Sequence, residues 1–146
     1  PEDVKRAIDS GVDVIYLSNH GGRQLDQGVG SISLLPGIVE LIDGQAAIAI
    51  DGGFYRCNDI VKAIALGADV VGIGRLEAWA LAAGGVPALN RCLSLLRQEI
   101  KRTMALLGVT TLAELSPDLI MTTHQVTDSN ILSAFPLIDD YPNLSQ

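Results

Sequence analysis

A histidine and an arginine three residues apart, His20 and Arg23, flank two glycines in the segment Ser18-Asn19-His20-Gly21-Gly22-Arg23-Gln24. Imidazole is the side chain best poised to take a proton near neutral pH, and a guanidinium grips a carboxylate through two parallel hydrogen bonds. Together they could hold an acid substrate and take a proton from the atom beside its carboxylate. Two more polar clusters occur downstream, Asp51-Gly52-Gly53 and Gly74-Arg75. Glycine turns expose backbone N–H groups, and with a cation alongside they suit a phosphate. Other chemistry-bearing residues say less. His124 has no partner at a metal-ligand spacing, Cys57 carries no activating motif, and Trp79 and Met104 fall at spacings that suit packing. The sequence contains no P-loop, dinucleotide fingerprint or zinc spacing.

These clusters need elements that bring them to one rim. Pro1-Glu2-Asp3 suits a helix start, because proline fits the first turn and acids favour its positive end. Val4, Ala7 and Ile8 then recur at helical spacing until Gly11. Val14-Ile15-Tyr16-Leu17-Ser18 is an apolar run too short for a helix, and it suits a strand buried on both faces of a parallel sheet. A polar loop from Asn19 to Ser31 leads to a helix over Leu34 to Ile42, with Pro36 near its start. The cycle repeats with a strand over Ala46 to Ile50 and a helix capped by Asn58 or Asp59 that ends at Leu66 and Gly67. A third strand covers Val70 to Ile73.

Helices then follow over Leu76 to Ala83 and Ala88 to Leu107, the second with Leu93, Leu96, Ile100, Met104 and Leu107 on one face. Thr111 and Glu114 have the spacing of a capping box for a last short helix. From Ser116 no periodicity survives, and Pro117, Pro136 and Pro142 punctuate a tail. Strands alternating with helices imply the α/β class, with parallel strands and right-handed crossovers. Three strands are too few to cover a free-standing sheet, and a full (β/α)8 barrel takes roughly 250 residues. A partial barrel is expected, with the three polar clusters at the C-terminal ends of its strands, where such barrels place their active sites.

Composition narrows the function. The 146 residues are 48% hydrophobic and 18% charged, which provides for a core and excludes a disordered linker. A net charge of −7 argues against nucleic acid as a partner. Uncharged stretches such as Ala78 to Asn90 fall short of the ~20 apolar residues a spanning helix needs, so no transmembrane segment is expected. Cys57 and Cys92 cannot make a disulfide framework; reduced thiols and a cytoplasmic location are expected. The chain opens on Pro1 rather than Met and shows no signal peptide, so it is expected to be processed or part of something longer.

Taken in order, the clusters resemble the C-terminal part of the FMN-dependent 2-hydroxy acid dehydrogenase and oxidase family, which includes lactate- and glycolate-oxidising flavoenzymes. Ser18 to Asp26 carries the most specific likeness. It continues through Asp51-Gly52-Gly53, Lys62 to Asp69, Gly72-Ile73-Gly74-Arg75, Trp79 to Gly85 and Thr103 to Gly108. The resemblance implies α/β architecture as the C-terminal arc, about three strands plus helices, of a (β/α)8 TIM barrel. It implies a partial barrel over residues 1–115 with a tail over 116–146, and homo-oligomers at full length.

By the same resemblance His20 is the active-site base and also lines the substrate site, and Arg23 binds the substrate carboxylate. Ser18 lies near the flavin ring, and Asp51, Gly52, Gly53, Gly74 and Arg75 hold the ribityl and phosphate parts of FMN. The implied reaction oxidises an L-2-hydroxy acid, lactate- or glycolate-like, to the 2-oxo acid. Tyr55 stands where the family usually has an arginine. The family's first five strands have no counterpart, nor has the carboxylate that supports the histidine, so this polypeptide alone is expected to be inactive. Two competing expectations are a phosphate-binding barrel isomerase or lyase, and an inactive half-barrel that only associates with another chain.

Overall fold

The computed structural model describes residues 1–24 and 27–121. Helix α1 (Glu2–Asp9) leads into strand β1 (Val14–Leu17), helix α2 (Ser31–Ile42), strand β2 (Ala47–Ile50), helix α3 (Cys57–Ala65), strand β3 (Val70–Val71) and helix α4 (Gly74–Leu107). The strands form one parallel sheet in the order β1-β2-β3, with Ile15 opposite Ile48 and Ile50 opposite Val71. Each strand is thus followed by a helix that returns the chain to the next parallel strand, as the alternation predicts.

The core lies on one face of the sheet. Ile15, Ile48 and Ile50 pack there against Leu35, Ile38 and Ile42 of α2, with Ala63 of α3 and Phe54 closing the layer. Leu35, Ile42 and Ile50 are fully buried, and each removes apolar surface worth about 1.5–3 kcal/mol. The expectation of strands buried on both faces does not hold. Val14, Tyr16 and Val70, which alternate with the core residues, are each more than half exposed. The strands are apolar on both sides of the pleat, but among the described residues only one side has helices to cover it.

Several element boundaries also move. Helix α2 starts at Ser31 rather than Leu34, because the Ser31 hydroxyl donates to the Asp51 carbonyl and pins the helix start to the end of β2. Pro36 therefore sits inside the helix. Asp59 does not precede α3; it is the third helical residue, and its carboxylate reaches back to accept from the N–H groups of Arg56 (2.9 Å) and Tyr55 (3.0 Å). Strand β3 pairs only through Val70 and Val71, after which Gly72 and Ile73 lead directly into α4. The two helices predicted after β3 are both present as the two halves of α4, separated by non-helical backbone at Gly84 and Gly85, where Gly85 adopts φ 63°.

On the long second half of α4, Leu96 is buried and Ile100 and Met104 are half-buried, while Leu93 and Leu107 stay exposed. This stripe fronts an open groove of about 550 Å³ shared with Val71 and Ile73. Beyond α4, the last short helix reduces to a single turn of 3-10 helix, Leu112–Glu114. Glu114 caps it, accepting from the Thr111 N–H (2.9 Å) and from the hydroxyls of Thr111 (2.7 Å) and Thr110 (2.8 Å). Those bonds hold its carboxyl down at about 2. Leu115 is buried against Val61 and Ala65, and Ile120 packs on the same cluster, so apolar packing continues past residue 115. His124 and the rest of the predicted tail from residue 122, like Leu25 and Asp26, lie outside the described residues.

Candidate active site

The chain leaves β1 through a network of local hydrogen bonds. The Ser18 hydroxyl accepts from the His20 N–H (3.1 Å), and the Asn19 carboxamide oxygen accepts from the Gly21 N–H (3.0 Å). They support one turn of 3-10 helix over His20–Gly22. His20 has φ 53°, a left-handed conformation that costs a non-glycine residue about 1–3 kcal/mol and tends to mark functional sites. Its imidazole is exposed, and Nδ1 lies 3.0 Å from Gln24 Oε1. A tautomer with its proton on Nδ1 would donate to that oxygen and leave Nε2 free to accept.

The chain leaves β2 at Asp51. Its Oδ2 accepts from the Tyr16 hydroxyl (3.0 Å), and its backbone carbonyl accepts from Ser31. Its Oδ1 is buried and has no hydrogen-bond partner. The bond to Asp51, then burial, then the carboxylate's charge push the Tyr16 phenol above its usual range. Gly52 and Gly53 follow with φ 108° and 98°. A methyl group on Gly52 would stand 2.8 Å from Ser31 Oγ, whereas one on Gly53 would meet nothing within 4 Å. The Gly52 turn is packed from below, and the Gly53 turn faces open space.

Strand β3 gives way to α4, which begins at Gly74 with no side-chain cap on its first N–H groups. Such a helix start attracts anions. Arg75 in its first turn lies 5.5 Å from the centre of the Tyr55 ring, within cation–π range. The Tyr55 ring also stacks on Trp79, with centroids 5.2 Å apart and an interplanar angle of 12°. The Arg75 guanidinium lies 3.5 Å from the position a Cβ on Gly21 would take, so the arginine after β3 reaches the loop after β1.

These segments enclose a cavity of about 260 Å³. Its lining includes His20, Arg23, Asp51, Gly52, Gly53, Gly74 and Arg75. Of the residues to which the resemblance gives a site role, Ser18 alone is absent from that lining; it supports the His20 turn instead. Tyr55, Phe54, Gly21, Gly72 and Ile73 complete the wall. Sequence reasoning missed the part played by Tyr16, whose signal was a phenol in an otherwise apolar strand, and that of Asn19 and Ser31 in fixing the turns. Among the described residues no group of three acidic, histidine or cysteine side chains could hold a metal ion, and Cys57 and Cys92 are free thiols.

The sequence model of the FMN-dependent dehydrogenase family matches residues 1–122. The chain belongs to that family. FMN is the family's cofactor, and oxidation of 2-hydroxy acids is the chemistry of its lactate and glycolate oxidases. The chain is 44% identical over 114 residues to an L-lactate oxidase of Nostoc sp., covering 78% of this chain and 31% of that protein. It is 42% identical to glycolate oxidase 1 of Zea mays over 92% of this chain and 35% of the relative. Among solved structures, a mandelate oxidase mutant with (S)-mandelic acid superposes with a TM-score of 0.79 at 40% identity, covering 86% of this chain and 37% of the other. A mandelate oxidase with benzoyl-formic acid gives 0.74 at 43% identity, over 77% and 33%. The fold is therefore an arc of the family's α/β barrel, and the chain spans about a third of the length of the relatives it matches.

Proposed function

We propose that this chain supplies the phosphate and ribityl end of an FMN site, together with the base and carboxylate anchor, of an L-2-hydroxy acid oxidoreductase. One observation carries the proposal: seven residues from the ends of three adjacent parallel strands converge on a single cavity. The donor set fits the polar end of FMN. An uncapped helix start with Arg75 suits the phosphate, the Gly53 turn leaves room for close approach, and Asp51 Oδ1 lacks a donor that a ribityl hydroxyl would provide.

Arg23 grips the substrate carboxylate, and His20 Nε2, with Nδ1 turned to Gln24, takes a proton from the substrate. FMN, when bound, accepts the electrons as the hydroxy acid becomes the 2-oxo acid. The names of the lactate and glycolate oxidases among the relatives support a small substrate of that class.

The test is a chimera in which residues 1–122 replace the matching segment of the Nostoc L-lactate oxidase. Anaerobic lactate should bleach its flavin. The chimera with His20→Ala should keep FMN and stay yellow; bleaching at an undiminished rate would remove His20 from the role.

A second reading is favoured by the open face of the sheet, with Val14, Tyr16 and Val70 exposed. On it the chain alone is inactive and works only when further strands cover that face. Sedimentation decides this: a monomer that melts cooperatively and reduces FMN with hydroxy acid would rule it out.

A further inference from the structure

We infer that Tyr16 is a positioning residue: its hydroxyl fixes the Asp51 carboxylate so that the other carboxylate oxygen accepts a hydrogen bond from a polyol hydroxyl of the ligand. The inference deepens the FMN assignment and rests on it. Three strands cooperate in the arrangement. Tyr16 lies on β1 opposite Ala49, Asp51 directly follows β2, and Gly72 directly follows β3. The Tyr16 hydroxyl crosses this face to donate to Asp51 Oδ2 at 3.0 Å. It can do so because Gly72 has no side chain: a Cβ there would stand 2.9 Å from the Tyr16 oxygen and 3.1 Å from Asp51 Cβ.

One carboxylate oxygen is thus engaged, while Oδ1 is buried without a partner on a residue that lines the cavity. A buried acceptor left unpaired is unfavourable, and native structures resolve such groups with a partner. An ionised carboxylate can only accept, so its partner must be a donor, and a hydroxyl-bearing chain offers donors without bringing a competing charge. Tyr16 itself does not line the cavity. Its effect passes through Asp51: the bond to Oδ2 favours the orientation that keeps Oδ1 buried at the cavity.

Riboflavin and lumiflavin share the ring system, but only riboflavin carries the ribityl chain; FMN adds the phosphate. Titration of the chain with all three, followed by flavin fluorescence, separates the contributions. The wild-type chain should prefer riboflavin to lumiflavin. Tyr16→Phe, which removes one oxygen and keeps the ring, should reduce that preference about tenfold with lumiflavin affinity unchanged. Gly72→Ala, which crowds both the Tyr16 hydroxyl and Asp51 Cβ, should lower the riboflavin preference as well.

The proposal is overturned if Tyr16→Phe keeps the riboflavin preference or weakens lumiflavin equally. It is also overturned if the wild-type chain does not distinguish riboflavin from lumiflavin, while a retained preference for FMN over riboflavin would leave the flavin assignment standing. Failure to bind any of the three flavins overturns both.

Discussion

Replacing Gly52 by alanine should damage the site more than the same change at Gly53, although the two are neighbours with nearly equal φ. Both residues have backbone conformations that an L side chain rarely adopts, 108° and 98°. Backbone strain alone predicts a loss of about 1–3 kcal/mol at either position. At Gly53 nothing lies within 4 Å of the added methyl, so strain is the whole effect. At Gly52 the methyl falls 2.8 Å from Ser31 Oγ and 3.3 Å from Asn19 Oδ1. Relieving that contact breaks the bond from Ser31 to the Asp51 carbonyl, which adds about 1 kcal/mol.

Gly52→Ala should therefore cost about 2–4 kcal/mol, against about 1–3 for Gly53→Ala. Gly74→Ala, where the backbone is ordinary and the surroundings are open, should stay within ~0.5 kcal/mol of wild type. Urea unfolding reads all three through Trp79, the single tryptophan of the chain. Equal midpoints for Gly52→Ala and Gly53→Ala would refute the claim that Ser31 locks the loop after β2.

Tyr55→Arg should tighten FMN but not riboflavin, because a charge-assisted contact to the phosphate contributes about 1.5–3 kcal/mol, roughly tenfold to a hundredfold in affinity. An unchanged ratio of the two affinities would show that position 55 does not face the phosphate. Glu114, held at about 2 when folded, favours the folded state above its ordinary carboxyl range, and that contribution disappears as pH falls from about 4 toward 2. Glu114→Gln should flatten this acid limb in urea unfolding at pH 6 and pH 2.5; superimposable profiles would show that the cap contributes nothing measurable.

The parallel order of the strands and the placing of the polar clusters at their ends were legible in the sequence. Val14 to Leu17 and Ala47 to Ile50 carry the β signal, and the glycines that follow mark where each strand ends. The covered side of the sheet was not legible, because Val14 and Ile15 look equally apolar and only the packing of α2 distinguishes them. The start of α2 was misplaced for a related reason: Pro36 suggested a nearby N-terminus, whereas a hydroxyl bond from Ser31 to the distant Asp51 sets it. Asp59 was recognised as a helix-start residue, but a carboxylate at the third helical position can satisfy the same N–H groups by reaching back. His20, Arg23 and the glycine turns announce themselves by residue type. Tyr16 does not, since its partner Asp51 is 35 positions away and meets it only through strand pairing.

The central claim is that the ends of β1, β2 and β3 form a site for the phosphate and ribityl parts of FMN. Titrating this polypeptide with FMN and riboflavin side by side, by quenching of flavin fluorescence, tests it most directly. Saturable binding at micromolar FMN, at least tenfold tighter than riboflavin, is the predicted result. Equal affinities, or no saturable binding of FMN, would contradict it.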